Sequence, residues 1–589
     1  FEGEKECFDV VIGNPPYVRQ ESIADPHLPR ADVTSENKKD YRNKLARSVY
    51  QAFPRFFGYK LGVEKPLHTL DGKSDLYVYF YFHGLSLLNP KGSFCFITSN
   101  SWLDVGYGKD LQEFLLKHCH VKIVLDNQAK RSFANADVNT VIVLFSQPDD
   151  RREWALDKTA RFIMFKVPFE LILSPVIFQE IETAHDRKST TEYRVFPIRQ
   201  ELLLKEGFEL QEEDAADSES LAQRAVSVKR GPLIKVSHYI GNKWGGKYLR
   251  APDIYFTLLD KGVKFSRKLS EYFDGERYLN TGGADGFFIL KDVRPGSRGF
   301  LRISNSSTTT ANGEPFDGEI EKDFLVPLVK DYTKSDKRIE IHGHDAYCLV
   351  VQERPTSKVQ KYIKWGEQQG YHKRSVTLNQ RPWYKPTRQM LAGAKILVPR
   401  SFNDSFVIYY NPKSYLSLRY YRLHLKKGRE LSLIAYLNTT LVALFLETLG
   451  NKSLGQGVLD FFMADFLALR IPVIENRDLE IAFNQIKDRP VLPVIEEYGM
   501  RTSGKDGRTH ARPRADRKHI DDIVFDEMRL TRGERDAVYE AVINMVQTRL
   551  AKAESLKPTE RKKRIEAASK TLGIWADVPA GTDDEDQEE

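Results

Sequence analysis

The residues with the clearest chemical potential are Asn14, Pro15, Pro16 and Tyr17, which follow the apolar run Phe8-Asp9-Val10-Val11-Ile12 and the hinge residue Gly13. Asn14 and Pro15 each precede a proline and are pushed toward extended backbone, while the two rings fix φ and remove two N–H donors. The loop is therefore stiff and rich in acceptors. Such a tetrapeptide can be an ordinary turn, but at the carboxyl end of a buried strand it stands where open α/β sheets bind their ligands. There an Asn side-chain oxygen and a neighbouring backbone carbonyl can each accept one hydrogen of a planar NH2 group. The nitrogen is drawn toward tetrahedral geometry, its delocalised lone pair is freed, and preorganised dipoles replace a strong base. A base amine in DNA or RNA and a protein glutamine all present such a group. A base taken from a duplex also needs an aromatic surface to replace its lost stacking, and Tyr17 stands in position for that.

The elements that must position this loop are an alternation of strands and helices from residue 8 to about 147, which predicts a mostly parallel sheet covered by helices. Strands are predicted over 93–98, 121–125 and 140–145, and helices over 76–88, crowded with aromatics, and 108–118. From 151 to 225 the pattern loosens into a linker or helical insert with an acidic stretch at 209–219. Residues 226–475 mix short strands, at 396–399 and 406–410, with one long apolar helix over 431–449, an α+β pattern. A helix-rich region over 476–575, broken by a basic loop at 501–518, precedes an acidic, disordered tail at 576–589.

A chain of 589 residues is too long for one core. Its 41% apolar and 29% charged residues are the balance of a soluble globular protein. Cys7, Cys95, Cys119 and Cys348 show no CxxC spacing, so a reducing compartment and no metal are expected. No apolar run is long enough for a membrane span and no secretory signal is visible, which leads to a cytoplasmic expectation without a membrane partner. The net charge of +7 conceals a local asymmetry: 15 Lys/Arg against 7 Asp/Glu over 226–302, and 13 against 2 over 370–430. Aromatics interleaved with this charge favour a nucleic-acid partner.

The strand followed by NPPY, the Asp75-Leu76-Tyr77 opening of the aromatic helix, LNPKG before FCFITSNSWL, and RSFANADVNTVIVLF resemble, in order, the motifs of gamma-class N(6)-adenine DNA methyltransferases of the type IIG restriction–modification family. The resemblance implies the later half of a Rossmann-like methyltransferase sheet over 1–150, with S-adenosyl-L-methionine as methyl donor and double-stranded DNA as partner. It implies that Asn14 and Pro15 activate the adenine amine, that Asn14 and Phe80 lie against the cofactor, and that Tyr17 and Phe133 hold the flipped base. Plain core packing is the competing reading for Phe80.

Thr281 to Phe287, Gln380-Arg381-Pro382-Trp383-Tyr384-Lys385, AKILVP and GNKSLGQGVLDFF resemble the target-recognition domain of the same family, placed here at 226–475. Arg381, Lys385 and Arg388 beside Trp383 would then clamp DNA phosphates, although Trp383 reads equally well as the anchor of a small core. The family's glycine-rich cofactor turn and ribose-holding acid precede NPPY, so the resemblance implies an amino-terminally truncated enzyme, incomplete alone and completed by an upstream or separate cofactor-binding segment, with a nuclease also outside this chain. A non-catalytic specificity subunit and a defence methylase without nuclease are the alternatives.

Overall fold

The computed structural model describes residues 8–60, 66–129, 139–151, 154–209, 238–305, 315–330, 338–374, 376–451, 457–502 and 509–554. Seven strands, β1 (Phe8–Gly13), β2 (Leu88–Ser99), β3 (Val121–Asn127), β4 (Thr140–Ser146), β5 (Thr159–Phe165), β6 (Lys188–Ser189) and β7 (Tyr193–Arg199), form one sheet in the order β1-β2-β4-β3-β5-β7-β6. Only β1/β2 and β3/β5 are parallel, and the other four pairings are antiparallel. The expected mostly parallel sheet is therefore a mixed one. No helix lies between β3 and β4 among the described residues, and strands joined without a crossover pair antiparallel.

The sheet also overruns the boundary expected at residue 150. β5 to β7 occupy much of the stretch assigned to a linker, because five of the seven β5 residues are buried and a strand covered on both faces loses the alternation that would betray it. One face of the sheet packs Phe94, Phe96, Val141, Val143 and Phe145 beneath the aromatic helix α1 (Leu76–Ser86) and α2 (Lys109–His118). The other face is covered at its β5–β7 end by Ile172 and Ile181. At the β1 end it is open: Phe8, Val10 and Ile12 are 41, 58 and 76% exposed. Val11, between them, points instead toward Gly84 of α1.

The second half is built from small sheets around a large core. Phe273–Glu276, Tyr420–Leu425, Ile396–Pro399 and Tyr409–Tyr410 form one four-stranded sheet. The predicted strand at 406–410 is realised only in its last two residues. The apolar helix expected over 431–449 is two helices, α3 (Glu430–Leu437) and α4 (Thr440–Leu449), bent by 58°. The break is Asn438, whose carboxamide accepts the Ile408 N–H at 3.0 Å and donates to Ile408 O and Ile434 O at 2.9 Å. Helices α5 (Ala515–Glu527) and α6 (Arg532–Glu554) share this core, so the helix-rich region and the region before it are packed as one. Within it Glu447 of α4 is fully buried against Arg549 of α6 at 2.9 Å. Asp521 accepts from the Thr440 N–H and hydroxyl and from the Tyr539 hydroxyl.

The two halves meet at Asp104, just after β2. Its carboxylate accepts the Gly246 N–H and the Arg250 guanidinium, each at 2.9 Å, where Gly245–Arg250 form a single wide helical turn. Among the described residues no single helix is long and apolar enough to cross a membrane.

Candidate active site at the end of the first strand

The backbone leaves β1 at Gly13, whose register partner on β2 is Phe96. A Cβ at Gly13 would stand 3.0 Å from the Phe96 ring, so a bare backbone lets the chain turn tightly over β2. In the loop that follows, Pro15 is buried while Asn14 and Pro16 are exposed. The Tyr17 hydroxyl reaches back to donate to Asn14 Oδ1 at 2.7 Å and approaches Ile97 O at 3.2 Å. Burial pushes the Tyr17 phenol up to about 12, which keeps it protonated, a donor, at neutral pH. Asn14 and Tyr17 are thus brought together, and Asn14 Oδ1 is engaged by Tyr17 in this state.

The loop is moored from behind by residues whose part the sequence reading did not assign. Asp75, at the start of α1, accepts the Gln20 N–H at 3.0 Å and the Tyr107 hydroxyl at 2.9 Å. Tyr107 in turn meets Tyr77 at 2.8 Å, and the Leu76 N–H donates to Val18 O. Burial raises the Asp75 carboxyl despite these donors. The Asp-Leu-Tyr spacing was visible in the chain, but its role depends on contacts 32 and 55 residues away.

Phe80 is 41% exposed, whereas Tyr77, Val78, Tyr79, Tyr81 and Phe82 around it on α1 are buried. The competing core reading of Phe80 is overturned: the helix spends its inward face on its neighbours and leaves this ring outside. Phe133 lies outside the described residues. In the second half Arg381, Lys385 and Arg388 are exposed, and among the described residues none of them has a carboxylate partner within ion-pair distance. Trp383 is 8% exposed and packs 4.5 Å from Phe287, with its indole N–H donating to Glu367 at 2.9 Å. It is the anchor of a small core, not an open stacking surface, because its ring fills the space between Phe287 and Gly366.

No metal was expected from the sequence. The fold gathers Glu340, His342 and Asp488 within 4.8 Å, but the Lys487 ammonium already lies on Glu340 and 3.1 Å from Asp488, so a cation of the protein's own sits at that cluster.

With the strand-end NPPY loop and the mixed sheet in place, comparison with known proteins adds a class to which the chain is similar: residues 1–133 match the Eco57I restriction-modification methylase family. More particularly, residues 329–492 match the C-terminal domain of the type II methyltransferase M.Eco57I. The chain is 31% identical over 128 residues to the type II methyltransferase M.BstVI of Geobacillus stearothermophilus, a match covering 22% of this chain and 17% of that protein. It is 29% identical over 119 residues to M.PaeR7I of Pseudomonas aeruginosa, covering 20% and 15%. The matched stretches thus span about a sixth of these curated relatives. Among solved structures, the type IIL restriction-modification enzyme MmeI in complex with DNA aligns over 91% of this chain and 57% of its own, at 11% identity and a TM-score of 0.43.

Proposed function

We propose that this chain carries the catalytic loop and target-recognition part of a site-specific DNA methyltransferase of a restriction–modification system, acting on the exocyclic amine of adenine. The observation that carries the reading is the NPPY loop itself: a family-matched segment that places an exposed Asn carboxamide beside a protonated tyrosine at the carboxyl end of a sheet strand. In this reading Asn14 Oδ1 and the Pro15 carbonyl accept the two amine hydrogens, and Pro16 stiffens the loop. Tyr17 exchanges its bond to Asn14 for a place against the flipped base, opposite Phe133. Arg381, Lys385 and Arg388 bind phosphates, with Trp383 holding their loop from beneath. Adenine, rather than cytosine, rests on the family resemblance.

S-adenosyl-L-methionine is the methyl donor implied. The residues present fit one side of it: the Phe80 ring, left outside on a helix whose neighbouring residues are buried, offers a flat surface for its adenine, and Asn14 is exposed at the end of β1. When bound, the cofactor supplies an electrophilic methyl group. The open apolar face at Phe8, Val10 and Ile12 supports a sheet completed by a further cofactor-binding segment, the later-half arrangement of a Rossmann-like methyltransferase. The test is methyl transfer from labelled S-adenosyl-L-methionine to duplex DNA, by this chain alone and joined to a segment bearing the family's cofactor-binding motif. Activity in the joined form supports the reading. Inactivity in both forms, with DNA binding retained, replaces it with that of a specificity subunit.

A further inference from the structure

On the same rim of the sheet as the NPPY loop, a cavity of about 330 Å³ opens between β5, β7 and helix α6. It shares no lining residue with Asn14–Tyr17 or with the 381–388 loop. Two cations stand on its wall: Lys166, just past β5, and Arg194 on β7, whose register partner is Met164. Lys166 donates to Ser189 Oγ at 2.8 Å and to Thr190 O, and Arg194 donates to Leu249 O. Among the described residues neither has a carboxylate oxygen within ion-pair distance. Asp253, the acid that acts electrostatically on both, is itself engaged by Arg187 at 3.3 Å.

The remaining cations of the wall are balanced, Arg250 by Asp104 and Arg549 by Glu447, each at 2.9 Å. One carboxylate, Asp126, also faces the cavity, and it accepts the Asn127 N–H at 2.7 Å. Burial lowers both Lys166 and Arg194, the latter to about 10, and the repulsion of Arg194 adds to the effect on Lys166. Two desolvated like charges side by side are unfavourable until an anion joins them. The volume exceeds what a bare phosphate needs and falls at the low end of small-ligand sites, roughly 300–1,000 Å³. Asn100 and Asn544 add amide donors and acceptors, and Met164 and Met545 add polarizable thioethers, groups that suit a planar base.

We infer that this cavity is a nucleotide site, in which Lys166 and Arg194 grip a phosphate and the amide and thioether wall receives the attached base. The phosphate belongs either to the DNA backbone or to a free nucleotide. The inference goes beyond the proposed methylation, and its test does not use methyl transfer. Calorimetric titration of the whole chain with deoxyadenosine monophosphate should show one site, and inorganic phosphate should bind at least tenfold more weakly. Lys166→Gln should weaken the nucleotide at least tenfold. Asn544→Glu, which puts a carboxylate among the cations at an exposed position, should abolish binding while raising the thermal midpoint, and so separates site loss from misfolding. A variant with both Arg381→Gln and Lys385→Gln should bind the nucleotide as the parent does. Displacement of the nucleotide by a short duplex assigns the phosphate to DNA, and absence of competition assigns it to a free nucleotide. No heat with either probe, or nucleotide binding unchanged in Lys166→Gln and Asn544→Glu, overturns the inference.

Discussion

The amino-terminal sheet and the carboxyl-terminal core handle their apolar surface in opposite ways. Around α4 and α6 the core is packed so closely that Glu447 is fully buried against Arg549, which also donates to the Gly457 and Asn403 carbonyls. At β1 the sheet packs one face under α1 and leaves three large side chains of the other face in solvent. The closed region is where stability resides. The open region lies directly ahead of the NPPY loop.

The sharpest way to break this contrast is at the loop. Asn14→Ala should lower methyl transfer by about 10²–10³-fold in the joined form, the scale of removing one preorganised polar group, while duplex affinity stays within about twofold. Retained transfer in a labelled-donor assay would sink the assignment of Asn14. Next in size is the closed core: Arg549→Met strands Glu447 and should cost about 3–5 kcal/mol in denaturant unfolding, whereas adding Glu447→Leu should restore much of it. A single mutant as stable as the parent would mean that water reaches the pair.

Replacing Arg381 and Lys385 with Gln together should weaken duplex binding about tenfold and flatten the log–log salt dependence by about two phosphate contacts. Unchanged salt dependence would make that loop structural. Ile12→Ser should alter unfolding by less than about 0.5 kcal/mol, as for an exposed site, but weaken association with a cofactor-binding segment. The smallest effect concerns His68, 3.3 Å from the buried Asp110. Asp110 raises the imidazole's pKa, so its contribution is present below the unfolded value and fades as pH rises through the folded one. Stability should therefore fall slightly above neutral pH, and His68→Gln should flatten that slope in thermal scans at several pH values.

What the chain revealed beforehand follows from which contacts are local. The strand before NPPY, the strands near 121 and 140 and the helix near 109 were legible, because each is bounded by its own turn signals and one-sided apolar periodicity. β5 was not, since burial on both faces removes the period, and β7 was hidden because only Tyr193 and Val195 of its seven residues are buried. The break between α3 and α4 was hidden too, because it depends on an Asn438 bond to a residue 30 positions away. At the site, the four loop residues stood out, yet the bond between Tyr17 and Asn14 and the mooring at Asp75 did not. Trp383 read equally well as aromatic support for a phosphate clamp and as the anchor of a small core, because sequence cannot tell which side of a basic loop faces inward.

The Asp104 joint carries a lesson for modularity. A Cβ on Gly245 would lie 2.5 Å from Asp104 Oδ2, and one on Gly246 would lie 2.6 Å from Thr448 O. A loop of the sheet, a six-residue turn and the end of α4 therefore converge where there is no room for a side chain. Two domains tied by a flexible tether could be exchanged at almost any point along it. Here the splice is a fitted one, and a chimera with a foreign recognition half would keep its alignment to the NPPY loop only if both glycines, Arg250 and the matching end of α4 travelled together.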